Sequence, residues 1–388
     1  MTILKKLQNR RPWSEEERIV LDQVQRIADN VIKPNAERFD RAAEFPWENI
    51  KALNELGLNS LFIPEAYGGS PMSYKLYLAC VSIISEACAS TGIIYATNFH
   101  AMKPVIDFGT NEQKERLLPR IANGGLASLA ITETGAGSDA TGMKTLFRPD
   151  GDEIVIQGGK TFITSGDVAD LIFLFGKWSE IDDAKGAISV LVLEKGTEGF
   201  SIFRKEEKMG HCASSTVGLS FNDCRVPRAN LIGKPGSGLK ILLASLNKSR
   251  PSIAAHALGI ARAAFDDMIA YTNQRVQSGK QIIDFQGNQF MIADLASELA
   301  LTECWLDYVA QLVDEEEQDF GIEASIAKLR ASDLAMRMTT EAVQMHGGYG
   351  YCKDFRVERL MRDAKITQIW EGTNQIHRQL VGRSFRVK

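Results

Sequence analysis

From Ser14 the chain reads SEEERIVLDQVQRIADNVIKP, with Val20, Val24, Ile27 and Val31 at helical spacing behind a Ser14/Glu17 capping-box pair. The pattern predicts a helix that Pro34 stops. Comparable helical patterning continues to about residue 125, and then the texture changes. DEIVIQGGKTFITSG, ADLIFLFGKW, AISVLVLEKG and STVGLSFNDCRVP are short apolar or alternating runs, rich in β-branched and aromatic residues and punctuated by Gly, Asp and Pro. They read as a compact β unit. After GKPGSG at 233–238 long helical stretches return and run to the end, broken by glycines at 347–350 and by Gly372. Strands gathered in one block argue for an α+β chain with segregated domains and against a doubly wound sheet. The divisions fall at 1–125 (helical), 126–236 (β) and 237–388 (helical).

Composition narrows the partner. The 388 residues are 44% hydrophobic and 24% charged, proportions of a globular protein with two or three units around a substantial core. A formal net charge of −4 with scattered basic residues gives neither a nucleic-acid footprint nor a polybasic membrane patch. A small-molecule partner is expected. Cys80, Cys88, Cys212, Cys224, Cys304 and Cys352 are widely spaced without a C-x-x-C pair, which reads as reduced thiols in a cytosol-like compartment. MTILKKLQNRRPWSEEER lacks the apolar run of a leader, and no segment approaches the ~18 uninterrupted apolar residues of a membrane span. The expectation is a soluble, cytoplasmic protein.

Several common chemistries find no support. Gly159-Lys160-Thr161 supplies only the tail of a phosphate-binding loop, because position 154 is Ile. G-x-G-x-x-G after a strand, H-E-x-x-H and G-x-S-x-G do not occur, and His100, His211, His256, His346 and His377 lack metal-ligand spacing. Each histidine reads as packing or solvent-facing.

Three stretches carry a signal together. LAITETGAGSDATGMKT (129–145) lies where helices give way to strands and offers Thr132, Ser138 and glycines that let backbone N–H groups approach a ligand. KTFITSG (160–166) offers Phe162 beside Thr164 and Ser165, and EAVQMHGGYGY (341–351) offers a second close-approach loop. Singly, each also reads as a turn, a strand packing its aromatic inward, or a helix ended by glycine.

With KMGHCASSTVGLSFNDCRVPRANLIG, NQRVQSGKQIIDFQ and RLMRDAKITQIWEGTNQIHRQLVGR in the same order, the whole chain resembles the acyl-CoA dehydrogenase family. The resemblance implies an N-terminal helical domain, a middle β-barrel domain and a C-terminal four-helix bundle. It also implies FAD between the last two, in a homotetramer whose neighbouring subunit completes the site. By motif, Leu129, Ile131, Thr132, Gly137, Ser138, Phe162, Ile163 and Thr164 would meet the flavin region. Phe162 stands where tryptophan is more usual. Arg275, Gln286, Gln344 and Gly348 would reach the ADP half of a FAD across the subunit interface, Arg275 as the pyrophosphate's permanent cation, and Thr373 and Gln375 would touch the cofactor again. Acyl-CoA binding falls to Ser138, Arg250, Gly372 and Arg383.

Glu371, between Trp370 and Gly372, is the catalytic candidate. Desaturating a thioester between its α and β carbons needs a base for the α proton and a hydride acceptor on the other face. Flavin is the acceptor, since side chains cannot take hydride. A water-filled site would leave a carboxylate too weak for the α proton, so the reading requires an apolar pocket, which strengthens a carboxylate as base. The family polarises the thioester carbonyl with the backbone N–H at the base position and a ribityl hydroxyl. The plain alternative for Glu371 is a first-turn helix acid with Thr373 as a cap. Some branches place the base just before the arginine matched by Arg250; here that residue is Ser249, with Asn247 nearby, and neither can serve.

Thr134, Cys212, Asn247 and Ser278 depart from the usual pattern, and NFHAMKP (98–104) is shorter than its counterparts, with Lys103 a candidate for meeting a polar acyl tail. The leading expectation is an FAD-dependent dehydrogenase making trans-2-enoyl-CoA and passing electrons to electron-transferring flavoprotein. The alternatives are an acyl-CoA oxidase, a desulfinase-like lyase or an enoyl-CoA reductase on the same fold, or a non-catalytic acyl-CoA-binding flavoprotein.

Overall fold

The computed structural model describes residues 11–386, so most of the stretch read for a leader lies outside them. α1 (Glu15–Ile27) begins as its sequence requires. The Ser14 hydroxyl accepts from the Glu17 N–H at 3.1 Å and the Glu17 carboxylate accepts from the Ser14 N–H at 2.9 Å, satisfying orphan donors of the first turn. Pro34 does not stop the helical path. A π-helical turn, Ala28–Ile32, leads directly into α2 (Lys33–Ala42), where Pro34 occupies the first turn and its missing N–H is not needed. α3 (Trp47–Glu55), α4 (Tyr74–Ala87), α5 (Ala89–Phe108) and α6 (Asn111–Ala122) complete the block. α5 is buried from Ala89 to Val105, an unusual environment for the His100 and Lys103 it carries.

Eight strands follow: β1 (Ala127–Ala130), β2 (Leu146–Asp150), β3 (Glu153–Thr164), β4 (Leu171–Trp178), β5 (Ile188–Glu194), β6 (Phe200–Lys205), β7 (Thr216–Pro227) and β8 (Leu231–Ile232). They form one sheet in the order β6-β7-β3-β2-β4-β5-β8, with β1 also on β4. Among the described residues β6 and β8 are the ends of that order, so the expected barrel is not closed by strand pairing. β4 explains the loop at 131–145. β1 pairs in parallel with its first half, Ala127 with Leu171 through Ala130 with Leu174, and β2 pairs in parallel with its end at Lys177 and Trp178. Two segments therefore follow one another along one edge of β4, and the chain between them is expelled from the sheet. β4 is buried on both faces, Phe173 and Phe175 toward one core and Ile172 and Leu174 toward another, which is why it reads as a continuous apolar run.

The carboxy-terminal block contains α7 (Gly238–Thr272), α8 (Gln286–Asp314), α9 (Gly321–His346), α10 (Val357–Ile366) and α11 (Asn374–Ser384). A hairpin of β9 (Val276–Gln277) and β10 (Lys280–Gln281) interrupts it, turned by Ser278 and Gly279 at φ 49° and 78°. The two helical blocks share one core: Val24 of α1, Val81 of α4, Ile260 of α7, Leu299 of α8 and Met338 of α9 belong to a single buried cluster. The β unit is thus set into one continuous helical body, and Glu371 lies where elements from both helical blocks meet.

Candidate active site

α10 ends in the turn Thr367–Gly372, and Thr373 then caps α11 by accepting the Ile376 N–H at 3.3 Å. Glu371 and Gly372 both take left-handed backbone, φ 53° and 93°, and together reverse the chain. Glutamate is disfavoured there by roughly 1 kcal/mol or more. Buried partners hold the turn in place. Lys328 of α9, fully buried, donates to the Gly372 carbonyl at 2.7 Å and to Asn374 Oδ1 at 2.9 Å. The Asn374 amide donates in turn to Ser332 Oγ at 2.9 Å and Asp333 Oδ1 at 2.7 Å. A Cβ on Gly372 would stand 3.1 Å from His377 Nε2, so the glycine is needed for space as well as for its φ. Glu371 lies two residues before the cap Thr373, outside the first turn of α11, and its carboxylate turns inward.

There Glu371 Oε2 accepts the Ser249 hydroxyl at 2.6 Å, and Oε1 faces His100 Nδ1 at 4.0 Å, with 17% of the side chain exposed. His100 Nε2 is hydrogen-bonded to Ser252 Oγ. Beside Ser249, Arg250 is 7% exposed; its Nη1 donates to Asn247 Oδ1 at 3.2 Å while its Nε is buried without a partner. Trp370, the residue before Glu371, has its ring centroid 5.1 Å from His211 and 5.7 Å from His256, which meet Nε2 to Nε2 at 2.9 Å. The histidines read as packing therefore include one that faces the candidate base and two that pack on the neighbouring tryptophan. Burial dominates their electrostatics: His100 is held below the usual imidazole range, His256 is pushed down to about 3, and Lys328 is pushed down to about 7.

The other candidates form two further groups. Leu129, Ile131 and Thr132 are stitched to the end of β3, where the Thr161 N–H donates to the Thr132 carbonyl at 2.9 Å, Lys160 Nζ to the Ile131 carbonyl at 2.8 Å, and Ser128 Oγ to the Thr164 carbonyl at 2.6 Å. A register shift between Lys160 and Ile163 turns the chain so that Phe162, at φ 58°, stands 62% exposed while the Ile163 side chain enters the sheet core. Ile163 can therefore offer a ligand its backbone rather than its side chain. Gly137 and Ser138 are exposed on the expelled loop. The loop from His211 to Ser215 links this group to the Glu371 corner: the His211 ring packs on Trp370, and the Ser215 carbonyl accepts the Ser165 N–H at 2.9 Å.

Arg275, Gln344 and Gly348 line a cavity of about 450 Å³ with Tyr271 and Tyr349. Gln286, exposed at the start of α8, follows the same hairpin. This group is remote from Glu371, since the helix from Arg250 to Thr272 spans roughly 33 Å at 1.5 Å per residue. Thr373, Gln375 and Arg383 lie on or beside α11, the last two exposed.

Comparison with known proteins identifies the family. The amino-terminal domain model of acyl-CoA dehydrogenases matches residues 14–125, the middle-domain model 128–224 and the carboxy-terminal-domain model 236–385. The chain belongs to the acyl-CoA dehydrogenase family. It is 40% identical to the acryloyl-CoA reductase (NADH) of Anaerotignum propionicum over 95% of this chain and 94% of that one. Among solved structures, butyryl-CoA dehydrogenase of Megasphaera elsdenii is 36% identical with a TM-score of 0.93, covering 96% of this chain and 99% of that one. A chain from a study of the electron transferring flavoprotein of Acidaminococcus fermentans and flavin-based electron bifurcation is 37% identical with a TM-score of 0.94, covering 97% and 99%.

As an acyl-CoA dehydrogenase family oxidoreductase, the protein uses FAD. Its surfaces fit that cofactor: an aromatic ring left exposed by a bulge, Gly137 and Gly348 with open space where a Cβ would project, and a cavity beside the Arg275 cation. The departures find local explanations. Asn247 keeps a hydrogen bond to Arg250, Cys212 Sγ lies 3.7 Å from Arg362 Nη1, and Ser278 forms the hairpin turn; nothing in the structure explains Thr134. Sequence reasoning missed His100, Ser252 and Lys328. The one available signal was Lys328 itself, spaced with Ala324 and Ala331 on the buried face of α9.

Proposed function

We propose that this protein is an FAD-dependent acyl-CoA dehydrogenase that converts an acyl-CoA thioester to its trans-2-enoyl-CoA, with Glu371 as the base for the α proton. One observation carries the reading: an intact carboxylate held in a disfavoured backbone conformation and turned inward onto Ser249, where a free glutamate would turn to solvent. Arg250, with its buried Nε unpartnered, suits an anionic portion of the thioester substrate, together with Ser138, Gly372 and Arg383. Trp370, packed on His211 and His256, gives the turn that carries Glu371 an apolar neighbour. Bound FAD supplies the acceptor for the β hydrogen as hydride. The residues at 129–138 and 162–164, with Thr373 and Gln375, would hold its flavin part. Arg275, Gln286, Gln344 and Gly348, so far from Glu371, would serve the ADP part of a neighbouring subunit's FAD in a homotetramer. Electron-transferring flavoprotein is the proposed electron acceptor and the cytoplasm the proposed compartment; no helix among the described residues is long and apolar enough to cross a membrane.

Anaerobic mixing of the flavin-loaded protein with acyl-CoAs, from short straight to branched and carboxylated chains, tests the reading through flavin absorbance. Bleaching by one class of chain supports it and names the class. A reductive direction is favoured by the relative named acryloyl-CoA reductase. It would be chosen if no saturated thioester bleached the flavin while an enoyl-CoA reoxidised the reduced protein.

A further inference from the structure

The two oxygens of Glu371 have unlike surroundings. Oε2 takes the Ser249 hydroxyl, whereas Oε1 receives no such donor and faces His100 Nδ1 at 4.0 Å, beyond hydrogen-bond range. What Nδ1 presents to it follows from Ser252. That hydroxyl has one proton, and the Ser249 carbonyl 2.7 Å away, which can only accept, is a partner for it. Given to that carbonyl, the proton leaves Ser252 Oγ to accept from His100, and Nε2 then carries the ring hydrogen. In a neutral imidazole this leaves a lone pair on Nδ1, and burial keeps the ring neutral. A lone pair aimed at a carboxylate oxygen repels it. Aimed at the same oxygen carrying a proton, it becomes a hydrogen-bond acceptor.

We propose that His100 is a positioning residue that selectively stabilises protonated Glu371 and makes Oε1 the oxygen that takes the substrate's α proton. The inference rests on Glu371 being the base. The α C–H bond breaks, its electron pair stays on the substrate carbon, and the proton lands on Oε1. A shift of about 1 Å then brings Oε1–H within hydrogen-bond distance of Nδ1, with no proton passing to the ring. Ser249 holds Oε2 and keeps the carboxyl group from turning over. In the reverse direction the same acceptor would hold Glu371 as the acid that returns the proton.

Solid-state nitrogen NMR of histidine-labelled, flavin-loaded protein, with His100 assigned through His100→Asn, reads the tautomer directly. The expected result at neutral pH is Nε2–H with a bare Nδ1. A ring carrying hydrogen on Nδ1, alone or as imidazolium, overturns the proposal, because His100 would then favour the carboxylate. In anaerobic rapid mixing, His100→Leu should slow flavin reduction at saturating acyl-CoA by about 10- to 100-fold while the half-saturating concentration moves less than about threefold. His100→Asn, which keeps an amide oxygen near the Nδ1 position, should recover most of the loss; equal slowing in both variants would show a merely structural role. Should His100→Leu lose FAD, Ser252→Ala replaces it: with the acceptor for Nε2–H removed, the tautomer signal should change, and an unchanged signal refutes the assignment. Undiminished flavin reduction in Glu371→Gln would instead reject the base itself, leaving the His100 tautomer independently measurable.

Discussion

The Glu371 corner and the Arg275 cradle carry the two ends of the proposed site, and they are built in opposite ways. Around Glu371 every constraint comes from within the chain: Ser249 on the carboxylate, Lys328 and Asn374 on the turn, and His211 and His256 on Trp370. Around Arg275 the residues line an open cavity beside an exposed hairpin, and Gly348 has nothing within 4 Å of where a Cβ would stand. The contrast matches the work the proposed roles would ask of each. A base must be aimed to within fractions of an ångström and kept dry, so its turn is tied down by buried groups. A cradle for the far half of a dinucleotide needs only a cation and close backbone approach, and it gains its remaining contacts when occupied.

Removing the base should therefore have the largest effect and spare the cradle. Glu371→Gln keeps the shape and the Ser249 contact but cannot take a proton. Flavin reduction by acyl-CoA should fall by about a hundredfold or more, with FAD retained at wild-type stoichiometry. Rapid-mixing absorbance and the protein-to-flavin ratio measure the two independently. Loss of FAD in this variant would mean that the corner and the cofactor surfaces are not separable.

Next comes Lys328, which acts on the turn from beneath. Lys328→Met leaves the Gly372 carbonyl and Asn374 Oδ1 without their buried donor, at a cost of about 1–3 kcal/mol in stability. The pH dependence has a definite sign. Burial lowers the lysine from its ordinary 10.5 to about 7, so between those values the unfolded chain binds the extra proton and folding gains stability as pH rises. The melting temperature of wild type should thus rise relative to Lys328→Met between pH 7 and about 10. A difference that stays flat or shrinks across this window would show that the ammonium is not held at a cost.

The same contrast decides what was legible in the sequence. The block order of helices and strands was, because periodicity and β-branched runs are local properties. Glu371 and the loops were, because a glycine-flanked acid and glycine-rich turns mark themselves. The corner's supporting groups were not. His100, Ser252 and Lys328 lie on α5, α7 and α9, as far as 271 residues from Glu371 in sequence, and only the packing of three helices brings them together. A histidine with no metal-like spacing reads as packing until its neighbour is known to be a carboxylate. Pro34 was misread for a related reason: a proline ends one helix or opens the next according to the turn before it, and here that turn is a π-helix.

A smaller effect is expected at the cradle. Arg275→Ala removes a cation from one wall of an open cavity, so FAD should bind about tenfold more weakly, about 1.4 kcal/mol, read from flavin retained through dialysis. Flavin reduction in molecules that keep the cofactor should be unchanged. A slower reduction at full occupancy would carry the influence of Arg275 into the Glu371 corner and break the division between the two regions.

The smallest effect tests where the corner stops. Lys103, on the same helix as His100, was a candidate for meeting a polar acyl tail, but its ammonium lies 2.8 Å from Asp107, which also meets Lys248 at 3.4 Å. Burial lowers the lysine to about 8, with Asp107 as the main opposing influence, so its charge is already answered within the chain. An acyl carboxylate would have to displace Asp107 and leave that group short of a partner, which gains nothing on balance. Lys103→Met should accordingly change the preference between carboxylated and plain acyl-CoAs by less than about threefold, well under 1 kcal/mol. A selective loss of carboxylated substrates well beyond that would show that the Lys103–Asp107 pair opens to substrate, and that the region built around internal partners also contains a recognition element of the open kind.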